Sequence, residues 1–161
     1  MKTLFLIRHA KSSKDDPTLS DKERPLNDRG MQDAPKMGQR LAKRCVDPDL
    51  IVSSPARRAL ATAEIIAKKL DYKSKDIVVD ERLYESSPDQ LLEVIRALDE
   101  NPKRVMLFGH NPEFAQLAHR LSPEITEMPT CAVAEFEFDI ESWSAVGTEE
   151  PTKVALYAPK D

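Results

Sequence analysis

The segment Thr3–His9 (TLFLIRH) decides the fold, because a continuous apolar run ends there in an arginine and a histidine. A run of this kind is typical of a strand covered on both faces, as in a parallel sheet. The same pattern returns further along the chain, most weakly in the last of three segments: Asp49–Val52, Val105–Phe108 and Ile77–Val79. We therefore predict strands at these four places.

Outside the predicted strands, apolar residues recur at spacings of three and four, which is the period of an amphipathic helix. Four stretches show this period: Met31–Cys45, Ala59–Leu70, Leu91–Leu98 and Phe114–Leu121. The alternation of strands and helices predicts an α/β fold with a mostly parallel central sheet and helices on both of its faces. Residues 132–138 alternate instead, and Lys153–Tyr157 could pair with them, so we expect an antiparallel edge strand.

Length and composition limit the classes of protein to which this chain can belong. A chain of 161 residues suits a single domain, residues 1–161, and its 40% hydrophobic and 32% charged residues exclude a membrane protein and a disordered chain. The net charge of −4 is spread along the chain, which argues against nucleic-acid binding. The apolar start is too short for a signal peptide, and the two cysteines, Cys45 and Cys131, are expected to be buried thiols rather than a disulfide framework. We therefore expect a cytoplasmic protein.

Charged side chains directly follow three of the predicted strands. Arg8 and His9 end the first strand, Arg58 opens the helix after the second, and His110 follows the strand at Val105–Phe108. Because the carboxyl ends of parallel strands meet at one edge of a sheet, we expect these side chains to lie together. Arginine offers planar pairs of donors that match phosphate oxygens, and no acidic residue stands in the same motifs. The pattern predicts a site for a multiply charged anion such as phosphate.

A histidine in such a site could attack phosphorus as a nucleophile. Its unperturbed pKa of about 6.5 leaves the imidazole mostly neutral at pH 7, and neighbouring guanidinium groups disfavour its protonation further. Phosphoryl transfer needs mainly alignment and stabilisation of charge on the phosphate oxygens. This chemistry requires no metal or other cofactor, and three scattered histidines without ligand spacing predict no metal site, so we expect neither.

Three motifs in this chain resemble those of the histidine phosphatase (phosphoglycerate-mutase-like) superfamily. They are Leu6–Ser12 (LIRHAKS), Ser53–Ala59 (SSPARRA) and Gly109–Pro112 (GHNP). The Arg-His-Ala-Lys-Ser form of the first motif, the segment Arg24–Gly30 (RPLNDRG) and the small size of the chain are similar to the SixA branch of phosphohistidine phosphatases. The resemblance implies a three-layer α/β/α sandwich and a reaction that passes through a phosphohistidine on the enzyme.

The resemblance also implies roles for single residues. His9 matches the nucleophile of the family. Arg8 and Arg58 match the arginines that bind phosphate, and Arg58 is chosen over Arg57 because it directly precedes the alanine of the motif. His110 matches the second histidine of the pocket.

Three further residues have a role in the resemblance and also a simpler interpretation. Arg24 is expected near the phosphate, although it could instead pair with a nearby aspartate, Asp21 or Asp28. Ser12 falls where larger relatives carry a Ser or Thr close to the phosphate, and it could equally be a hydrogen-bonding loop residue. Glu85 stands where larger relatives carry the catalytic proton donor to the leaving group, but the Gly/Glu-rich stretch that follows there is missing, and a surface role is the simpler interpretation.

The missing insertions predict a shallow pocket, which can accept a phosphate presented on a protein surface. A P–N bond also breaks with less help from a positioned acid than an alkyl phosphate ester requires. Both inferences favour a phosphohistidine phosphatase, a hydrolase whose partner is a protein carrying phosphohistidine, with a histidine phosphotransfer domain as one such partner. Two alternatives stay open: a small-molecule phosphomonoesterase or mutase of the same fold, and a phosphoprotein-binding module without turnover.

Overall fold

The computed structural model describes residues 1–160. Its central element is a six-stranded β-sheet. Its strands are β1 (Lys2–Arg8), β2 (Leu50–Ser53), β3 (Val78–Val79), β4 (Arg104–Gly109), β5 (Val133–Phe138) and β6 (Lys153–Tyr157). They lie in the order β3-β2-β4-β1-β5-β6, and the first four of this order are parallel to one another. β5 runs antiparallel to β1, and β6 antiparallel to β5. The mostly parallel sheet and its antiparallel edge are thereby confirmed.

Four helices cover the two faces of the sheet: α1 (Asp28–Lys43), α2 (Arg57–Lys69), α3 (Pro88–Arg96) and α4 (Glu113–Leu121). Side chains of β1 alternate between the faces. Phe5 and Ile7 belong to the core formed with α1 and α2, whereas Leu4 and Leu6 belong to the core formed with α3 and α4. Burial on both faces explains the continuous apolar run of β1, and it confirms the three-layer α/β/α arrangement. Among the described helices, none combines the length and the apolar character needed to cross a bilayer.

The first helix begins earlier than its apolar pattern predicted. Asn27 caps it, because the Asn27 side chain accepts a hydrogen bond of 2.9 Å from the Gly30 N–H. Gly30 is the residue that faces inward, since a Cβ there would collide with the carbonyl oxygen of Lys11. Met31 is consequently 55% exposed, and its predicted place on the buried face was wrong.

The two cysteines differ in their surroundings. Cys131 is buried, as expected, in the core below α1. Cys45 is exposed, which corrects the prediction that both thiols are buried. The reason is that α1 ends at Lys43, after which Cys45 turns into the left-handed region (φ 60°) and leaves the buried stripe of the helix.

The long polar segment between β1 and α1 folds back along the sheet edge. Ser12 and Leu26 form an antiparallel bridge within it, and Asp21–Glu23 forms a short 3₁₀ helix that packs near α2. Further 3₁₀ helices lie in later connections, at Ser74–Asp76, Glu81–Leu83 and Trp143–Ala145. The segment thus lies beside the carboxyl ends of β1 and β2, where open parallel sheets place their ligand sites.

Candidate active site

The parallel strands bring the predicted histidines and arginines to one edge of the sheet. His9 follows β1 and His110 follows β4, and their ring centroids lie 5.2 Å apart. Arg8 ends β1, and Arg58 lies in the first turn of α2, where it is only 5% exposed. Both histidines are buried as well. The predicted proximity of these four side chains is therefore a feature of the fold, whereas their catalytic roles stay predictions.

A pocket of about 330 Å³ lies over these residues, and its lining is strongly basic. Five of the lining side chains are arginine or lysine, and none of the described lining residues is acidic: Arg8, His9, Lys11, Ser12, Lys14, Arg24, Arg58, His110, Asn111 and Thr130. Concentrated positive charge in a partly buried pocket favours an anion with several oxygens. Six of these residues were predicted from the sequence, whereas Lys11, Lys14, Asn111 and Thr130 were not assigned to the site.

His9 is held in one tautomer by its own loop. Its Nδ1 lies 2.6 Å from the carbonyl oxygen of Ala10, and because a carbonyl can only accept, Nδ1 carries the hydrogen and Nε2 the lone pair. Burial, assisted by the charges of Arg58, Arg8 and Arg24, lowers the pKa of His9 to about 4, and the hydrogen bond to Ala10 opposes this shift only in part. At neutral pH the imidazole is therefore uncharged and has a nucleophilic nitrogen at Nε2.

Thr62 fixes the loop that orients His9. The fully buried Thr62 hydroxyl accepts a hydrogen bond of 3.0 Å from the Ala10 N–H and donates one of 2.8 Å to the carbonyl of Arg58. The peptide of Ala10 is thus tied to α2 on one side and holds the imidazole of His9 on the other. Thr62 therefore links the residues that follow β1 to the first turn of α2, where Arg58 lies.

The imidazole ring of His110 is oriented by contacts with Ser54 and Tyr84. Its Nε2 lies 2.8 Å from the Oγ of Ser54, and the ring of Tyr84 meets it edge-on at a centroid distance of 5.5 Å. Burial, followed by the nearby His9 and Arg58, lowers the pKa of His110 to about 3. The residue before it must be glycine, because a Cβ at Gly109 would collide with the ring of Phe114.

Three buried nitrogen atoms at this sheet edge have no hydrogen-bond partner among residues 1–160: Nε of Arg8, Nε of Arg58 and Nδ1 of His110. Buried polar atoms in folded proteins are nearly always paired, because an unpaired one loses its hydrogen bonds to water without replacement. Their residues come from β1, from α2 and from the position after β4, and all three residues line one pocket. Unpaired nitrogens of this kind beside one pocket fit the oxygens of a bound anion.

Asp21 was considered in the sequence only as a possible partner of Arg24, and its contacts with Arg58 and Tyr84 were not predicted. Both Nη atoms of Arg58 donate to it, one to its carbonyl oxygen (2.6 Å) and one to its carboxylate (3.0 Å). Arg24 donates to Oδ1 of Asp21 from Nε and Nη2, each at 3.1 Å, and the Tyr84 hydroxyl donates at 2.6 Å to Oδ2, the oxygen that also accepts from Arg58. These hydrogen bonds hold the pKa of Asp21 well below its usual range and raise the pKa of Tyr84 to about 12.

The remaining predicted residues divide between the pocket and the surface. Arg24 lines the pocket and also pairs with Asp21, so both interpretations of this residue describe part of its surroundings. Ser12 lines the pocket too, and its hydroxyl accepts a hydrogen bond of 2.9 Å from Arg24 Nη1. Glu85 is exposed, in a left-handed backbone conformation (φ 52°), and lies outside the residues that line the pocket. Its role as a proton donor stays a prediction that this placement does not support.

Only one of the contacts of Asp21 could be expected from the sequence. The residue stands three positions before Arg24 in the polar segment, a spacing that allows a local ion pair. Its contact with Arg58, 37 residues away, could not be expected from any local pattern.

Within residues 1–160, no three or more His, Cys, Asp or Glu side chains lie together in a cluster that could hold a metal ion.

Comparisons with known proteins identify the family and the fold of this chain. Residues 4–130 match the histidine phosphatase superfamily (branch 1). An uncharacterised chloroplastic protein of Arabidopsis thaliana is 30% identical over 148 residues, which cover 87% of this chain and 68% of the plant protein.

Solved structures show the same fold. The protein histidine phosphatase SixA in complex with tungstate superposes with a TM-score of 0.82 and 24% identity, over 98% of this chain and 97% of that one. SixA from Agrobacterium tumefaciens gives a TM-score of 0.81 and 25% identity, over 96% of this chain and 97% of that one. The resemblance seen in the motifs is thereby confirmed. Because the family match spans most of its length, this chain belongs to the histidine phosphatase superfamily, branch 1.

Proposed function

We propose that this protein is a phosphohistidine phosphatase, which removes phosphate from a phosphorylated histidine of another protein through a transient phosphohistidine on His9. One observation carries the proposal. The imidazole of His9 holds its hydrogen on Nδ1 and its lone pair on Nε2, and it lines a pocket with five cationic side chains and no carboxylate among its described residues. An uncharged nucleophile inside a cationic pocket suits attack on a phosphoryl group.

The first step would form a bond between His9 Nε2 and phosphorus while the P–N bond of the substrate breaks. The free ring nitrogen of the substrate histidine takes up a proton from solvent beforehand, so that the electron pair of the P–N bond leaves with a neutral imidazole. In the second step, water attacks the phosphorus of phospho-His9, the bond to Nε2 breaks, and phosphate leaves with the oxygen of that water. Arg8, Arg58 and His110 would bind the phosphoryl oxygens in both steps, since each has a buried side-chain nitrogen without a protein partner among residues 1–160.

The surface around the pocket supports a protein as the substrate. A groove of about 760 Å³ adjoins the phosphate pocket through Arg8 and Asn111, and its floor includes the apolar side chains of Pro112, Ala115 and Met128. A second depression, of about 480 Å³, adjoins the pocket through Lys11 and Thr130. Room of this kind on both sides suits a polypeptide that carries the phosphate, whereas a small metabolite would use little of it.

The position of Glu85 supports the same choice of bond. The leaving group of an alkyl phosphate ester is a strongly basic alkoxide. It needs a proton at the moment of cleavage, usually from a positioned acid. Glu85 is exposed and lies outside the residues that line the pocket. An imidazole leaving group is far less basic than an alkoxide, so the reaction tolerates an acid that is not held in place.

A panel of three substrates tests the proposal. We expect a protein phosphorylated on histidine, such as a histidine phosphotransfer domain, to be dephosphorylated much faster than a phosphoserine peptide or phosphoglycerate. Labelled phosphate should appear on His9 after a quench that avoids acid. Faster turnover of phosphoglycerate would favour the small-molecule enzyme instead, and binding of the phosphoprotein without release of phosphate would favour a recognition module.

A further inference from the structure

Two adjacent serines at the end of β2 have the same burial but different partners. Ser53 and Ser54 are both fully buried. The Ser53 hydroxyl donates to the carbonyl of Ser54 at 2.9 Å and does not reach the site. The Ser54 hydroxyl lies 2.8 Å from Nε2 of His110 and accepts a hydrogen bond of 3.1 Å from the N–H of Ala56. Ser54 therefore joins the start of α2 to the second histidine of the pocket.

The direction of the contact between Ser54 and His110 follows from counting hydrogens. A serine hydroxyl has one hydrogen to donate, and His110 in its uncharged form has one hydrogen on either Nδ1 or Nε2. If Nε2 donated to Ser54, the serine hydrogen would lose this acceptor inside the protein, and Nδ1 would present a lone pair to an incoming phosphate oxygen. If Ser54 donates to Nε2, the serine is satisfied by Ala56 and His110 together, and Nδ1 carries the hydrogen.

We propose that Ser54 is a positioning residue that fixes His110 in the tautomer with hydrogen on Nδ1, so that this nitrogen donates to the phosphate. The identity of the anion rests on the proposed function, whereas the tautomer does not. Nδ1 of His110 is buried and has no hydrogen-bond partner among residues 1–160, and His110 lines the phosphate pocket. With Nε2 held by Ser54, Nδ1 is the ring nitrogen that remains for a ligand.

The two serines supply a matched pair of variants. Ser54→Ala and Ser53→Ala each remove one buried hydroxyl from adjacent positions, but only the first removes a contact with His110. The primary measurement is the nitrogen NMR spectrum of the histidine rings in the protein without any ligand, assigned with a His110→Gln variant. We expect hydrogen on Nδ1 of His110 in the parent protein and in Ser53→Ala, and a shift toward hydrogen on Nε2 in Ser54→Ala.

Affinity for inorganic phosphate, measured by titration calorimetry, gives the second measurement. Loss of one donor to a charged ligand is expected to weaken phosphate binding by about tenfold or more in Ser54→Ala, with a change below about twofold in Ser53→Ala. Ser54→Thr keeps a hydroxyl at this place and should restore most of the affinity. If the alanine variant does not fold, the tautomer of His110 in the parent protein still tests the proposal.

Each outcome decides one question. Hydrogen on Nε2 of His110 in the parent protein would overturn the proposal without any variant. Equal tautomers in Ser54→Ala and the parent protein would also overturn it. Because neither measurement uses phosphohistidine, failure of the substrate panel with an intact tautomer result would reject the proposed function and leave the role of Ser54 standing.

Discussion

Positive charge is buried at both ends of β1, but the two ends differ in whether the buried nitrogen atoms have hydrogen-bond partners. At the start of the strand, Lys2 is 4% exposed, its ammonium group donates to the carbonyl oxygens of Glu100 and Pro102, and it lies 5.7 Å from the ring centroid of Trp143. At the other end, Arg8 and the neighbouring Arg58 each keep a buried Nε without a partner among residues 1–160. The seven residues of β1 thus separate a lysine whose ammonium group is paired from arginines that each keep one unpaired nitrogen, although their Nη atoms have partners.

The difference between the ends distinguishes a structural charge from a functional one. A buried cation costs free energy unless protein groups replace its hydration, and the carbonyls around Lys2 do so. At the carboxyl end, the protein leaves donors unpaired, which lowers stability unless an anion completes them. Mutations at the two ends should accordingly change different quantities: catalysis and phosphate binding at one end, and the free energy of unfolding at the other.

His9→Ala makes the largest change at the carboxyl end. We expect phosphohistidine turnover to fall by at least about a thousandfold, because the nucleophile is lost. The free energy of unfolding should fall by no more than the ~1–3 kcal/mol of one buried hydrogen bond, here the one to Ala10. Assays of phosphate release and urea denaturation measure the two effects, and Lys75→Ala, at an exposed residue outside the pocket and the groove, is the control. Retained turnover would refute the assignment of the nucleophile.

Arg58→Ala and Arg57→Ala compare a buried arginine with its exposed neighbour in the same helix turn. Removal of one preorganised donor costs about 2.7–4 kcal/mol of transition-state stabilisation, or about 10²–10³ in kcat/KM, and we expect this of Arg58→Ala. Arg57→Ala should stay within about threefold, since charges on the protein surface contribute little to such interactions. Similar losses in both variants would mean that the net charge of the helix, and not a placed donor, sets the rate.

Lys2→Met tests the amino-terminal end. Loss of the ammonium group leaves the Glu100 carbonyl without its donor, so the free energy of unfolding should fall by about 1–3 kcal/mol. The kcat/KM value should not change, because the group lies at the opposite end of the strand from the pocket. Lys103→Met, at an exposed lysine near the same end of the sheet, is the matched control for stability. A fall in kcat/KM without loss of stability would break the distinction between the two ends.

Asp21→Asn should give the smallest effect and sharpen the comparison further. The Asp21 carboxylate occupies donors of Arg24 and Arg58 that face an anion site, and its side chain is 56% exposed. Removing this negative charge should tighten the binding of inorganic phosphate by about two- to fivefold, the range of a partly exposed ion pair. Calorimetry measures the change, with Asp16→Asn on the same segment as control. Weaker binding would show instead that Asp21 mainly holds the two arginines in place.

Much of the architecture could be predicted because it depends on local patterns. The apolar run after Lys2 predicts β1, since a strand buried on both faces shows its burial directly in sequence. The proximity of His9 and His110 could be predicted as well, because parallel strands carry their carboxyl ends to one edge. Met31 shows the limit of such reasoning. Ala34, Met37 and Leu41 are buried as their spacing predicts, whereas only the packing of Gly30 against Lys11 shows that Met31 lies outside this buried face.

The sequence by itself determined the succession of strands and helices along the chain and the charged residues that stand directly after the strands. Both follow from short-range periodicity and composition. The tertiary structure alone decided that Asp21 reaches Arg58, that Ser54 meets His110 and which nitrogen of His9 carries a hydrogen. Hydrogen-bond pairing and pKa values depend on burial and on distances between residues far apart in the chain. The burial and the contacts that set them form only when the chain folds.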